Sequence, residues 1–139
     1  MEGKANMADR SLPNDSANAR LDRKASEVIR DLGPLIHQLL ADINHTYLAA
    51  KGKLGSAEMG RRNVRWVLEW QTDQVTFKLH VVVGLKDDGK HAEVDRVLIQ
   101  REASTPFTFE GHTPTTTMRT MDKFSLEETR RTILELLSN

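Results

Sequence analysis

Five histidines are the residues of this sequence best suited to acid–base chemistry or metal binding: His37, His45, His80, His91 and His112. No two of them are four residues apart, the spacing that lets one helix hold a zinc ion, and neither an HExxH nor an HxH motif occurs. The chain also contains no cysteine, which excludes disulfides, thiolate nucleophiles and zinc ribbons. The sequence therefore predicts no metal site and no cofactor.

His80 comes nearest to a catalytic arrangement. The strand register derived below places it on one face of a sheet with Arg65, Val97 and, diagonally, Asp95. A histidine that is oriented by a carboxylate forms half of a general-base arrangement. The other half would be a nucleophile, and no serine or cysteine lies near His80 on the same strands. The sequence therefore favours a non-enzymatic protein over an enzyme.

The most basic stretch of the chain, residues 51–65, is a second candidate site. It contains three glycines and one acidic residue, and its cations are Lys51, Lys53, Arg61, Arg62 and Arg65. Glycines let backbone amides approach an anion closely, which makes this loop a candidate contact for phosphate, nucleic acid or an acidic partner. The glycine spacing matches neither a dinucleotide fingerprint nor a P-loop, and a solvated surface loop explains the charges equally. Basic and acidic residues number 20 each, so no overall field attracts a polyanion.

These candidates need a scaffold, and residues 63–101 predict three consecutive antiparallel strands. Apolar and polar residues alternate in two runs on either side of Thr72-Asp73, so that the large apolar side chains share one face. Folding the chain about Thr72-Asp73 pairs Trp66 with Leu79. Asp88-Gly89 predicts a two-residue type I′ turn between the second and third strands, with positive φ at the glycine.

The second turn produces one conflict, because it places Arg96 opposite Val81 on the apolar face. A β-bulge near Asp95-Arg96 would turn Arg96 away, and we expect one there. The opposite face of the meander is not wholly polar, since it collects Val67, Val82, Val97 and Ile99. This patch is either covered by a helix or later strands, or is an interface with a subunit or partner.

The segment before the strands predicts a helix. Apolar residues recur at intervals of three and four from Leu21 to Tyr47, and Gly33-Pro34 interrupts them, so we expect a kink or a break there. The part before the proline carries a narrow seam formed by Leu21, Ala25, Val28 and Leu32. Such a seam is what one helix offers to another. With no evident place inside one subunit, it is predicted to pack on a second copy or a partner protein.

The end of the chain predicts further strands at about 107–109 and 115–121, followed by a helix. Ser125 and Glu128 form a capping box that begins this helix, which continues to about Leu137. The predicted fold is therefore α+β, with an N-terminal helix, an antiparallel meander of four to five strands, and a C-terminal helix packed on one sheet face. The 139 residues fit one domain, 17–139, preceded by a disordered tail over 1–16.

The function favoured by these patterns is a non-enzymatic protein-interaction module, such as an adaptor, a chaperone-like subunit, an inhibitor or an assembly component, which self-associates. One alternative is a nucleic-acid-binding protein that uses the 51–65 loop beside Trp66, Trp70 and Phe77. The other is a small-molecule cup with an apolar cavity behind Trp66 and Phe77. No apolar run is long enough for a signal peptide or a membrane span, which predicts a cytoplasmic protein.

Overall fold

The computed structural model describes residues 16–105 and 115–138, which form two helices and one antiparallel sheet. The elements are α1 Ala17–Tyr47, β1 Lys53–Leu54, β2 Glu58–Met59, β3 Asn63–Thr72, β4 Val75–Asp87, β5 Ala92–Ser104, β6 Thr115–Met121 and α2 Leu126–Leu137. The strand order is β1-β3-β4-β5-β6, and β2 also pairs with β3. The predicted α+β architecture, with a helix on either side of a meander in the chain, is confirmed.

Two predicted features fall wholly or largely outside the described residues: the N-terminal tail and the strand at 107–109. Of the tail, only Ser16 is described, and it is the N-cap residue that precedes α1. Its side chain accepts a hydrogen bond from the backbone N–H of Ala19 at 3.1 Å, as an N-cap does. The serine of the capping box predicted for α2 is confirmed as an N-cap, since the side chain of Ser125 accepts a hydrogen bond from the N–H of Glu128 at 3.2 Å.

Helix α1 continues through Gly33-Pro34 as one element of 31 residues, so the chain does not break there. Proline removes one backbone hydrogen bond from the helix interior, which costs about 3 kcal/mol. That cost is offset because a single buried stripe runs along the helix on both sides of the proline, from Leu21 to Ile43. Packing on the sheet therefore stabilises, as one continuous helix, the two segments on either side of Gly33-Pro34.

The predicted seam on α1 belongs to the subunit's own core, and the expectation that it lacks a place there is wrong. Leu21, Ala25 and Val28 are each 3% exposed, and Leu32 packs beside them as a half-buried residue. The reason is the length of the central strands. Strands β4 and β5 have 13 residues each, or about 43 Å, which nearly matches the roughly 46 Å of α1. The sheet is long enough to bury the whole helix.

The pairing of β3 with β4 differs from the predicted register by two residues. Trp66 lies opposite Val81, and Leu68 lies opposite Leu79. The turn falls at Asp73-Gln74, where Asp73 has a φ of 52°. A shift of two residues leaves every side chain on its predicted face, so Trp66 and Leu79 are both buried as predicted, at 2% and 0% exposure.

The predicted bulge in the β4–β5 ladder is present. Leu85 pairs with Val94 and Gly84 pairs with Arg96, which leaves Asp95 as the extra residue. From Arg96 onward, each side chain of β5 therefore lies on the face opposite to the predicted one. Val97 and Ile99 are completely buried on the face that the helices cover, so placing them in a patch on the opposite face is wrong.

The β4–β5 turn also falls later than predicted. Asp87 pairs with Ala92, and the N–H of Asp88 donates to the carbonyl of His91 at 2.9 Å, which centres the turn on Gly89-Lys90. Gly89 has a φ of 100°, and its predicted positive φ is confirmed.

Substituting valine for Gly89 is expected to destabilise the protein, because a β-branched residue is badly strained at positive φ. We expect a loss of about 1–3 kcal/mol in the free energy of unfolding, measured by urea denaturation. Gly89→Asn is the matched control, since asparagine tolerates this region, and it should cost less. Equal stability of the two variants would contradict this account.

An ion pair fastens the start of α1 to the end of β4. The Nε and Nη2 atoms of Arg20 donate to the two carboxylate oxygens of Asp87 at 2.5 and 2.8 Å. This bonding, together with the N–H of Gly89, lowers the pKa of Asp87 below its usual value. The folded protein therefore binds fewer protons here than the unfolded chain at acidic pH. The contribution of Asp87 to stability is complete above the unfolded pKa of about 3.9 and is lost as pH falls through the lower folded pKa.

Thermal unfolding as a function of pH tests this ion pair. Asp87→Asn should have a lower Tm than the wild type at neutral pH, and the gap should close as the pH falls from about 5 to about 2. Asp22→Asn on the exposed side of α1 is the control and should show no such convergence. A Tm gap for Asp87→Asn that stays constant over this range would count against the role of the ion pair.

Candidate functional site

Among the described residues, one face of the sheet contributes no side chain to the core cluster that both helices share, and we call it the open face. Beside a polar row of Gln71, Thr76 and Ser104 near the β3–β4 turn, cross-strand pairing arranges its side chains in four further rows across β3, β4, β5 and β6. In order along the strands, the rows are Glu69, Lys78, Glu102 and Thr116; Val67, His80, Gln100 and Met118; Arg65, Val82, Leu98 and Thr120; and Asn63, Gly84 and Arg96.

The two middle rows of the open face contain four apolar side chains. Val82 lies directly opposite Leu98 and is 7% exposed, while Val67 and Leu98 are half-buried. Met118 is 54% exposed. Val67 and Val82 were predicted to lie on this face. Leu98 was missed because the bulge changes its side, and Met118 because the sequence gives no register for β6.

His80 also lies in the middle of the open face, where it is 8% exposed. Its Nε2 is 3.2 Å from Oε1 of Glu102, so the carboxylate partner predicted for it, Asp95, is wrong. The bulge leaves Asp95 unpaired and shifts the pairing beyond it. His80 therefore lies opposite Gln100, and Glu102 is its diagonal neighbour on β5. The bond to Glu102 is the one that the His80 side chain forms among the described residues, and it accounts for the burial of a polar ring. Among the described residues, no hydroxyl group forms a hydrogen bond with His80.

Charged residues occupy the two ends of the open face. Glu69 and Glu102 lie at one end, on either side of Lys78, and Arg65 and Arg96 lie at the other. Neither of these arginines forms an ion pair with a described residue. Arg65 is half-buried, and its Nε is buried without a hydrogen-bond partner among the described residues. The open face thus has one end where Glu69 and Glu102 alternate with lysines, an apolar middle, and an opposite end with Arg65 and Arg96.

The basic residues predicted to contact an anion are dispersed. Lys51, Arg61 and Arg62 are exposed in loops beside the sheet. Lys53 lies opposite Glu69, and Glu58 lies opposite Arg65, so both cations on the strands have an acidic neighbour. The acid across each strand weakens the attraction for an anion.

The aromatic residues do not join these cations. Trp66 and Trp70 are buried on the face that the helices cover, and Phe77 stacks on Trp70 with ring centroids 5.3 Å apart. A single-stranded nucleic acid needs exposed rings next to its basic groove. The open face offers no aromatic side chain among its described residues.

A cavity of about 370 Å³ lies on the opposite side of the sheet, where both helices end. Its wall includes Trp70 and Phe77, and Arg101 is its charged residue. The cavity expected behind Trp66 and Phe77 does not include Trp66; Phe77 lines this cavity with Trp70, which lies two cross-strand pairs from Trp66. Trp66 itself is packed inside the core.

Comparisons with known proteins found no matching family model, no similar curated protein and no similar solved structure. Neither helix of the described residues combines the length and apolar character needed to cross a membrane. Within the same residues, histidine and carboxylate side chains form no group of three or more suited to holding a metal ion. The function must therefore be inferred from the open face and the cavity.

Proposed function

We propose that the protein is a non-enzymatic interaction module that forms a two-fold homodimer through its open face. The observation that carries the proposal is the order of side chains along β5 on this face, with Glu102 at one end, Leu98 in the apolar middle and Arg96 at the other end. A two-fold interface uses the same patch on both subunits, so the patch must complement itself. A strand with opposite charges at its two ends meets that requirement.

The charges along β5 fit one arrangement of the two subunits. A two-fold axis that lies between the sheets and runs across the strands places Glu102 of one copy over Arg96 of the other, so that opposite charges meet. The two middle rows then face each other, with Val82 over His80 and Leu98 over Gln100 of the second copy.

The size of the open face is consistent with a reversible dimer. Four strands spaced about 4.8 Å apart and four rows spaced about 6.8 Å apart give a patch of roughly 500 Å² on each subunit. The pair would bury about 1,000 Å² in total, which is the lower bound for a specific protein–protein interface. We therefore expect dissociation in the micromolar range, close to the border between transient and stable dimers.

Nucleic-acid binding is the weaker alternative, because the cations of residues 51–65 have acidic neighbours and the aromatic side chains lie on the other face. A role as an adaptor or assembly component fits a module whose described residues show no catalytic arrangement. We place it in the cytoplasm, since a chain without cysteine suits a reducing compartment.

A charge exchange across the open face tests the dimer. Arg96→Glu should weaken self-association by about tenfold or more, because it sets two glutamates against each other at two symmetry-related contacts. Adding Glu102→Arg should restore much of the affinity by exchanging both members of the pair. Sedimentation equilibrium over a range of protein concentrations measures each dissociation constant.

Arg131→Glu is the matched control, since Arg131 is an exposed arginine on α2, away from the open face. It should leave the dissociation constant unchanged. Far-UV circular dichroism checks that each variant is folded. A wild type that stays monomeric at the highest attainable concentration would refute the proposal. So would an Arg96→Glu protein that dimerises as tightly as the wild type.

A further inference from the structure

His80 is the histidine at the centre of the open face. It is 8% exposed, and it lies in the row of Val67, Gln100 and Met118, one of the two middle rows that meet in the proposed dimer. Histidine ordinarily gains or loses its charge between pH 5 and 8, whereas carboxylates, lysines and arginines keep theirs over that range. Near neutral pH, the side chain of this face that changes its charge is therefore His80.

The hydrogen bond between His80 and Glu102 uses one ring nitrogen. Nε2 donates to Oε1 of Glu102 at 3.2 Å, so Nδ1 of the neutral ring is an acceptor. Protonation converts Nδ1 into a second N–H donor, for which the described residues provide no acceptor. A surface depression of about 390 Å³ borders the ring, so water can accept from this donor in a single subunit.

Charged side chains surround His80 from the neighbouring strands of its own subunit, and the two signs balance. The cations are Lys53 on β1, Arg65 on β3 and Lys78 on β4. The carboxylates are Glu58 on β2, Glu69 on β3 and Glu102 on β5. Strand β6 adds no charge to this face, and both helices pack on the other side of the sheet. A single subunit therefore offers a protonated His80 one hydrogen-bonded carboxylate, water and no excess of either charge.

A second copy on the open face changes these surroundings. In the two-fold arrangement, Val82 of the second copy covers the ring of His80 and excludes water from Nδ1. Arg65 of the second copy lies beside the ring, and Arg96 of the second copy approaches Glu102. The ring thus gains an apolar cover and positive neighbours, while its carboxylate partner is shared with an arginine. Each of these changes disfavours a charged imidazole.

We propose that protonation of His80 dissociates the open-face dimer, an inference that rests on the proposed function and adds its regulation. Because the dimer disfavours the charged ring, it binds fewer protons than two separate subunits at mildly acidic pH. By linkage, a fall in pH therefore shifts the equilibrium toward the separate subunits. One dimer contains two copies of His80, so dissociation takes up as many as two protons at this position. Association is complete at neutral pH and above, and it weakens below about pH 6.5.

Sedimentation equilibrium of the full chain at about pH 7.5 and about pH 5.5 tests the proposal, because histidine changes its charge between these values. The Kd of the wild type should rise by about tenfold or more at the lower pH. His80→Phe keeps an aromatic ring but cannot take up a proton, so its Kd should change by less than about twofold. His91→Phe is the matched control, since His91 is exposed at the β4–β5 turn, and it should keep the wild-type response.

A measurement on the wild type keeps the test valid if His80→Phe fails to fold. Dilution calorimetry at about pH 6.5, in two buffers of different ionisation enthalpy, counts the protons taken up as the dimer dissociates, and we expect a net uptake. A wild-type Kd that is equal at both pH values, no net uptake of protons, or a folded His80→Phe protein with the wild-type response would overturn this inference and leave the dimer standing. A wild type that is monomeric at both pH values would refute the dimer and, with it, the role of His80.

Discussion

Replacing Trp66 with alanine is expected to lower the free energy of unfolding by about 3–5 kcal/mol, as removal of a large buried side chain does. Trp66 is 2% exposed and one of the largest fully buried side chains in the core. Its ring approaches α1 beside Gly33, where a Cβ atom would lie 3.8 Å from the indole. Its deletion therefore leaves a cavity where the helix meets the sheet.

Urea denaturation followed by far-UV circular dichroism measures this loss, at one fixed protein concentration because dimerisation adds to apparent stability. Trp66→Phe is the matched control. It keeps an aromatic ring in the same place and should cost markedly less than alanine. If Trp66→Ala lost under about 1 kcal/mol, the indole would not be the packing centre that the structure shows.

An aspartate in place of Val28 is expected to have the second large effect and to leave the protein largely unfolded. Val28 is 3% exposed and belongs to the core cluster formed by α1 and the sheet. Burying a carboxylate there without a partner costs several kcal/mol, which is a large part of the stability of a domain this size. The loss of cooperative thermal unfolding, seen by circular dichroism, is the measurement.

The aspartate substitution also separates two interpretations of the α1 seam. Ser26→Asp places the same charge on the exposed side of the same helix and should leave the fold intact. If Val28→Asp were instead folded but dissociated, the seam would be a subunit interface. The structure opposes that outcome, because the seam faces the long β4 and β5 strands of its own subunit.

The alternation of side chains correctly predicted which face of β3 and β4 is buried, although the pairing itself was displaced by two residues. Alternation has a period of two, so it cannot distinguish registers that differ by two. Only the turn decides between them. Neither Thr72-Asp73 nor Asp73-Gln74 contains a glycine to mark the position, and the left-handed residue is Asp73. The register was therefore beyond the reach of the hydrophobic pattern.

The candidate site was harder to predict than the fold because it depends on residues that lie far apart in the sequence. The bulge at Asp95 was predicted, since Arg96 conflicted with the apolar face. Its effect on Val97, Leu98 and Ile99 follows only when the ladder is continued beyond it. The pairing of Met118 with Gln100 and the bond between His80 and Glu102 need the whole sheet. Local patterns carry no information about such contacts.

The place of α1 was mispredicted for a different reason. A narrow apolar seam can pack either on another subunit or in the core of its own subunit. Which of the two occurs depends on how far the sheet extends along the helix. The turn predicted at Asp88-Gly89 implies strands close to the observed ones, since β4 continues to Asp87 and β5 begins at Ala92. The interruption at Gly33-Pro34, however, separated the first part of α1 from the part expected on the sheet, and the continuous helix brings Leu21 and Ala25 onto these long strands.

The single extra residue of β5 has a consequence for how this chain tolerates insertions and deletions. Removal of Asp95 would restore an uninterrupted ladder, and every residue from Arg96 onward would then change sides relative to β4. Val97 and Ile99 would turn toward solvent while Leu98 entered the core. The pairing of β6 with β5 would be displaced as well. Relatives of this protein should therefore differ in length along β5 by two residues or by none, and a one-residue change there should mark a chain with a different core.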